Sequence, residues 1–242
     1  MLRILIILMV AIMVYCTNAK KFIQSSSAFI TNNSGRKQIY SHRQKYHRMQ
    51  SPSDIIVDQI WTLEDLEEFA HKQGVELSKT SMGPAFRTVA RSTQNSSKIL
   101  GYGEGFVRPA GNILHLDKME VYKPIVKQVR RENPDFSGGG TIFGVGLLFG
   151  YQCLLHGVEN GCIEAEFLAI DDEEFQHKRL VRFYKNSGFK IVKYVGEDIQ
   201  DIPDRMVWGG CGTLMRANLA DLLPLWSQLF IKATEREKSK KG

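Results

Sequence analysis

HKRLVRFYKNSGF (177–189) is the stretch that decides the fold. Leu180, Phe183 and Tyr184 stand at i, i+3 and i+4, so on a helix they share one face. Gly188 suits the left-handed position that ends a helix, and Phe189 opens whatever follows. Just upstream, DDEEFQ (171–176) puts acids in the first turn, where the helix dipole favours them. A helix is therefore predicted over 171–188. It lies between a buried strand, CIEAEFLAI (162–170), and a second strand, FKIVKYVGE (189–197). Tyr184 reads either as a core aromatic with a satisfied hydroxyl or as a group with chemistry to do, and its surroundings decide which.

Upstream of that unit stands GGGTIFGVG (138–146), opening the apolar run TIFGVGLLFGYQCLLHGVENG (141–161), which reads as a helix closed by Gly161. Glycines let a backbone approach a ligand closely, and the free N–H groups at a helix start favour a phosphate or pyrophosphate. GVGLLFG (144–150) also imitates a dinucleotide fingerprint, with a strand ending near Asp171 behind it. That fold needs a buried apolar strand directly before the first glycine, and DFSGGGTIF (135–143) does not supply one. No Gly-Lys-Ser/Thr follows, so it is not a P-loop either.

Further upstream, DIIVDQI (54–60) reads as a first strand. WTLEDLEEFAHKQG (61–74) is a helix whose Thr62 and Asp65 form a capping box. VELSKTSMGPA (75–85) reads as loop. FRTVARST (86–93), KILGYGEGFVRP (98–109) and NILHLDKMEVYK (112–123) are three strands of an antiparallel meander, the last being the fourth in the chain. PIVKQVRRENPDFSGGG (124–140) holds a short basic helix. Beyond 197, DIQDIPDRMVWGG (198–210) reads as a long loop and CGTLMRANL (211–219) as the last strand. PLWSQLFIKATEREK (224–238) is a C-terminal helix started by Pro224, with a basic tail behind it. The order implies a mixed α/β sheet, antiparallel in the middle and parallel in its helix-linked portion.

Charge is distributed unevenly. The 242-residue chain is net +6, yet residues 1–53 carry eight Lys/Arg and no acid, which leaves 24 basic against 26 acidic residues, net −2, from Asp54 onward. A body so close to neutral offers no nucleic-acid footprint. Residues 1–53 read as a targeting leader. MLRILIILMVAIMVYC has an early Arg and an apolar run of about 13 residues, short of the roughly 20 that a span needs. A signal peptide of about residues 1–28, a Ser-Ala-Phe junction at Phe29 and a basic acid-free tract to 53 resemble the bipartite leaders of secondary plastids. The expected location is a plastid reached by the secretory route, with secretion or an endomembrane anchor as the alternative. Cys153, Cys162 and Cys211 contain no C-x-x-C pair, which excludes a disulfide framework and a zinc site and fits buried thiols. No metal is expected.

The glycine turn before a helix, followed one strand later by FYKNSGF (183–189), resembles the GNAT-type, acetyl-CoA-dependent N-acetyltransferase superfamily over residues 55–217. The family's turn matches at Gly144 and Gly146, and its second helix at Phe183, Tyr184, Gly188 and Phe189. Thr141 stands where Arg or Gln is usual, and His177 and Leu180 where Asn/Asp and Ala are usual. The insert 123–140 is extra, and its Arg130 or Arg131 either supplies the missing charge or is simply a solvated face. The resemblance implies a mixed, mostly antiparallel sheet flanked by helices over 54–217, with 218–242 as C-terminal helix and tail.

It also implies acetyl transfer from acetyl-CoA to an amine by direct attack in a ternary complex, with a coenzyme-binding domain of regulatory or scaffold role as the alternative. The coenzyme would lie along Val121, Tyr122, Thr141, Phe143, Gly144, Val145 and Gly146. A backbone N–H near Val121 or Tyr122 would serve the oxyanion. Tyr184 would protonate the leaving thiolate. For the base, Glu120, Asp117, His115 and an ordered water stay open; strand alternation places His115 and Asp117 on one face and Glu120 on the other. Acids at 198–204, with Asp171 and Asp172, either attract a cationic amine or are loop and cap residues. The partner is an amine, small molecule or protein, with no nucleic acid, and no membrane once the leader is gone.

Overall fold

A computed structural model describes residues 60–108, 112–140 and 144–241. The leader over 1–53, the first expected strand apart from Ile60, and Thr141 and Phe143 of the glycine turn lie outside the described residues.

Helix α1 (Leu63–Lys72) begins as its sequence dictates. The Thr62 hydroxyl accepts from Asp65 N–H at 3.2 Å, and the Asp65 carboxylate accepts from Thr62 N–H at 2.9 Å. β1 (Val75–Met82), β2 (Ala85–Ser92), β3 (Ile99–Val107) and β4 (Ile113–Val121) form the antiparallel meander. β1 corrects the loop expected at 75–85. It is an edge strand that buries only Val75 fully, so its polar sequence hid it, while Gly83 at φ 60° and Pro84 make the tight turn into β2. The short basic helix is present as α2 (Lys123–Glu132).

α3 (Val145–Glu159), β5 (Glu164–Ile170), α4 (Glu174–Asn186), β6 (Lys190–Val195), α5 (Ile202–Trp208), β7 (Gly212–Asn218) and α6 (Leu219–Lys241) complete the order. The sheet runs β1-β2-β3-β4-β5-β7-β6 and is parallel only between β4 and β5. The expected parallel portion is thus smaller than the helix connections suggested, because β7 inserts between β5 and β6 and pairs antiparallel with both.

Two further boundaries differ from the sequence reading. α5 replaces part of the long loop at 198–210. Pro203 sits in its first turn, Gly209 ends it at φ 74°, and buried Trp208 anchors it to the sheet. α6 begins five residues before Pro224 and carries that proline inside. Its buried stripe, Leu219, Leu222, Leu223, Trp226, Phe230 and Ala233, compensates for the bond that proline removes.

The two faces of the sheet differ. On β3, Gly101 and Gly103 face α3; a Cβ on either would lie within 3.2 Å of the Phe149 ring, so α3 packs flat against the strand. α3 is buried nearly all round, between the sheet and α6, as its unbroken apolar sequence requires. The alternate residues of β3, Tyr102, Glu104 and Phe106, face the other way. There His115 lies between Phe106 and Trp208, with centroids 4.3 and 3.8 Å away. Buried Glu166 meets Arg108 at 2.6 Å and Arg216 at 2.9 Å on the same face.

Candidate active site

β4 and β5 pair only through Ile113–His115 and Glu164–Glu166. Beyond that rung no register pair joins residues 116–121 to 167–170, and the two parallel strands diverge. A cleft of about 680 Å3 lies on the α3 face of this opening. Met119 and Val121 of β4, Gly146 and Leu147 at the start of α3, the inner face of α4 and Trp226 of α6 line it.

The start of α3 is built for close backbone approach. Gly144, its N-cap, sits at φ 62°, ψ −151°, a region open essentially to glycine alone, and no side chain caps the helix. Gly139 packs against that cap; a Cβ on it would lie 2.6 Å from the Gly144 carbonyl carbon. Val145 is buried and Gly146 half-buried at the cleft wall, so the positive end of the helix dipole meets the cleft at Gly146. Gly146 itself has ordinary room, since a Cβ would stand 3.4 Å from Val121.

α4 turns one stripe of side chains into the cleft: Phe175, Gln176, Arg179, Leu180, Phe183 and Tyr184. It stops in a Schellman motif. Phe189 N–H donates to Tyr184 O and Gly188 N–H to Lys185 O, both at 3.1 Å. Gly188 is at φ 104°, and a Cβ there would lie 2.9 Å from both Leu222 and Leu225. The Tyr184 ring rests on Phe167 of β5, centroids 3.8 Å apart. Its hydroxyl makes no hydrogen bond to any of the described residues, and burial pushes its pKa up to about 12. The core-aromatic reading requires a satisfied hydroxyl, and none of the described residues supplies a partner for it.

Positive charge at the cleft comes from residues the sequence reading missed. Lys123 and Arg179 line it, and Arg179 also stands over the Phe175 ring, 5.6 Å from its centroid. Neither makes an ion pair among the described residues. Arg130 instead donates to Ser137 O at 3.4 Å behind the glycine run, and Arg131 to Lys127 O at 3.4 Å on its own helix. Helical spacing from Phe183 was the signal that would have found Arg179, four residues and about one turn earlier.

The β4 candidates separate. β4 bulges at Asp117: Glu104 pairs with Lys118 and Gly105 with Leu116. The extra residue reverses the alternation, so His115 and Glu120 share the face turned away from α3, a correction to the expected division. Glu120 there accepts from Tyr102 Oη at 3.1 Å and meets Lys118 at 3.2 Å. Asp117 is exposed at the bulge. Tyr122 is corrected as an oxyanion donor: its N–H already bonds to Leu100 O at 2.9 Å. Successive strand N–H groups alternate in direction, so that of Val121 points to the open β5 side.

A single short parallel rung, an open β4/β5 edge above it, a glycine-capped helix at the mouth and the Tyr-x-x-x-Gly-Phe helix end lie together on one face. The strand order and the opening are those of the mixed, mostly antiparallel GNAT-like sheet expected from the sequence. No family model matches the sequence, and no curated protein does. Similar solved structures include nourseothricin acetyltransferase, at 13% identity over 56% of this chain and 66% of that one, TM-score 0.36. A GNAT-family acetyltransferase from Staphylococcus aureus Mu50 matches at 18% over 65% and 75%, TM-score 0.37. The ribosomal-protein-S18-alanine N-acetyltransferase from Escherichia coli matches at 11% over 66% and 92%, TM-score 0.35. At these values the likenesses carry no argument, and the fold class rests on this chain's own strand order. Among the described residues no helix is long and apolar enough to cross a membrane, and no His, Cys, Asp and Glu group is arranged to hold a metal.

Proposed function

We propose that the chain is an N-acetyltransferase that moves an acetyl group from acetyl-CoA to an amine by direct attack. The observation that carries this is the hydroxyl of Tyr184, unpartnered among the described residues and held in the same cleft as the start of α3. The pyrophosphate would be held by the N–H groups at Val145 and Gly146 and by the charges of Lys123 and Arg179. The pantetheine arm would run down the apolar cleft beside Val121 toward Met119, with its thioester beside Tyr184.

The amine nitrogen attacks the thioester carbonyl carbon and a C–N bond forms. The oxyanion accepts from the Val121 N–H. As the C–S bond breaks, the departing sulfur takes the proton of Tyr184. The phenol, held protonated by its burial, acts chiefly through a positioned hydrogen bond. The amine's surplus proton is assigned to Glu120, with Asp117 or a water as the other route, and passes to solvent; the phenolate regains a proton from solvent, so one proton leaves the amine and one ends on the coenzyme thiol. Glu120 and His115 lie on the face away from α3, so the acceptor would enter from that side of the opening. Acids at 198–204 are largely committed within the protein: Asp201 and Asp204 bind Lys193 at 3.3 and 2.6 Å.

Mass spectrometry of an amine panel incubated with acetyl-CoA tests this. An acceptor heavier by one acetyl group is expected. Coenzyme binding with no acetylated amine would instead favour a regulatory or scaffold domain.

A further inference from the structure

The lower end of the cleft is closed by a residue from outside the strand-helix unit that holds Tyr184. Trp226, on α6, is 4% exposed and lines the cleft together with Ser187 and Met119. Its Nε1 donates to Ser187 O at 2.8 Å, which fixes the indole against the end of α4, three residues past Tyr184. Nothing spare remains beneath it. A Cβ added to Gly150 would lie 2.9 Å from Met119 Cε and 3.1 Å from Trp226 Cζ3. Met119, Gly150 and Trp226 thus meet as a floor, with the Phe167 ring beside it, under Tyr184.

The direction of the cleft gives this floor a meaning. Its mouth is at the ends of β4 and β5, where Lys123, Gly146 and Gln176 stand. Its floor is nearer the single paired rung. A donor whose phosphates sit at the mouth and whose sulfur lies at Tyr184 points its acyl group toward Met119 and Trp226. Each added methylene must then displace packed side chains, and hydrophobic pockets discriminate about tenfold or more per methylene.

We propose that Trp226 and Met119 set the acyl-chain length of the donor, restricting it to short chains. This rests on the reading of the cleft as the thioester site. Trp226 depends on α6, so the C-terminal helix would be part of donor selection and not a mere extension of the fold.

The test is a comparison of acetyl-, butyryl- and hexanoyl-CoA with wild type, Trp226→Ala and Met119→Ala, by kcat/KM with an accepted amine and by calorimetric affinity. Wild type should prefer acetyl-CoA over hexanoyl-CoA by at least about tenfold. Each variant that melts as a folded protein should narrow that ratio by about fivefold or more. Met119→Ala keeps the test available if Trp226→Ala does not fold. Equal use of both donors by wild type, or a wild-type ratio in folded Met119→Ala, overturns the proposal while leaving acyl transfer intact. If no amine is acylated, affinities decide. Chain-length-independent binding overturns the proposal, and no binding of any coenzyme A thioester removes the underlying functional reading as well.

Discussion

Tyr184 packs tilted on Phe167 with ring centroids 3.8 Å apart, which places the last turn of α4 over the first residue of β5 beyond its pairing with β4. The contact explains why the helix must stop at Gly188: Phe189 packs on Phe167 as well, at 4.8 Å, and starts the return to the sheet.

Tyr184→Phe keeps that ring contact and removes only the hydroxyl. Turnover should fall about 10²-fold, the low end for a general acid, with coenzyme affinity and melting temperature close to wild type. Since burial raises the phenol to about 12, its proton is present throughout the neutral and mildly alkaline range. A kcat profile should therefore show no alkaline fall caused by Tyr184 below about pH 10. The same raised value stabilises the fold fully below the unfolded phenol's pKa and loses that contribution only as pH rises toward 12. Unchanged turnover with lowered stability would make Tyr184 a packing residue.

The parts of this arrangement that are local in sequence were legible in it. The capping box at Thr62, the helix end at Gly188 and the glycine cap at Gly144 each follow from a few adjacent residues. What was not legible depends on distant contacts or on a break in periodicity. The bulge at Asp117 moved Glu120 onto the same face as His115, against simple alternation. Trp226 reaches Ser187 from another helix. Arg130, though next to the glycine run in sequence, packs behind it, while Arg179 arrives at the cleft from α4.

Gly146→Asp places a carboxylate at the first turn of α3, facing the proposed phosphate site. Loss of acetyl-CoA binding by calorimetry is expected. Stability without ligand should hold, because an acid suits a helix start and a Cβ there meets only Val121 at 3.4 Å. Retained affinity would move the coenzyme elsewhere.

Arg179→Ala should weaken acetyl-CoA binding about tenfold, with a flatter salt dependence, while Arg130→Ala leaves it unchanged. Isothermal titration at two ionic strengths separates the two. The reverse ranking would return the phosphate charge to the 123–140 insert.

Glu166 is wholly buried. Burial alone would raise its pKa, but His115, Arg108 and Arg216 outweigh that and hold it below the usual carboxylate range. Its contribution to stability is therefore present above the unfolded carboxyl's pKa and lost as pH falls through the lower folded value. Glu166→Gln should cost about 3 kcal/mol at neutral pH and blunt the acid limb of a melting-temperature profile. An unaltered limb would show that other groups set the acid sensitivity.

The leader proposal is independent of the site. Residues 1–50 fused to a fluorescent protein should route it to a plastid, and Phe29→Ala should reduce that import. Fluorescence in the medium with both versions would support simple secretion.

The central claim is transfer of the acetyl group to an amine, and counting free coenzyme A thiol against acetylated amine tests it most directly. The account predicts thiol release only when an accepted amine is present, one thiol for each amide formed, and both lowered together in Tyr184→Phe. Thiol release at the same rate without any amine, or none with acetyl-CoA bound across the amine panel, would contradict it.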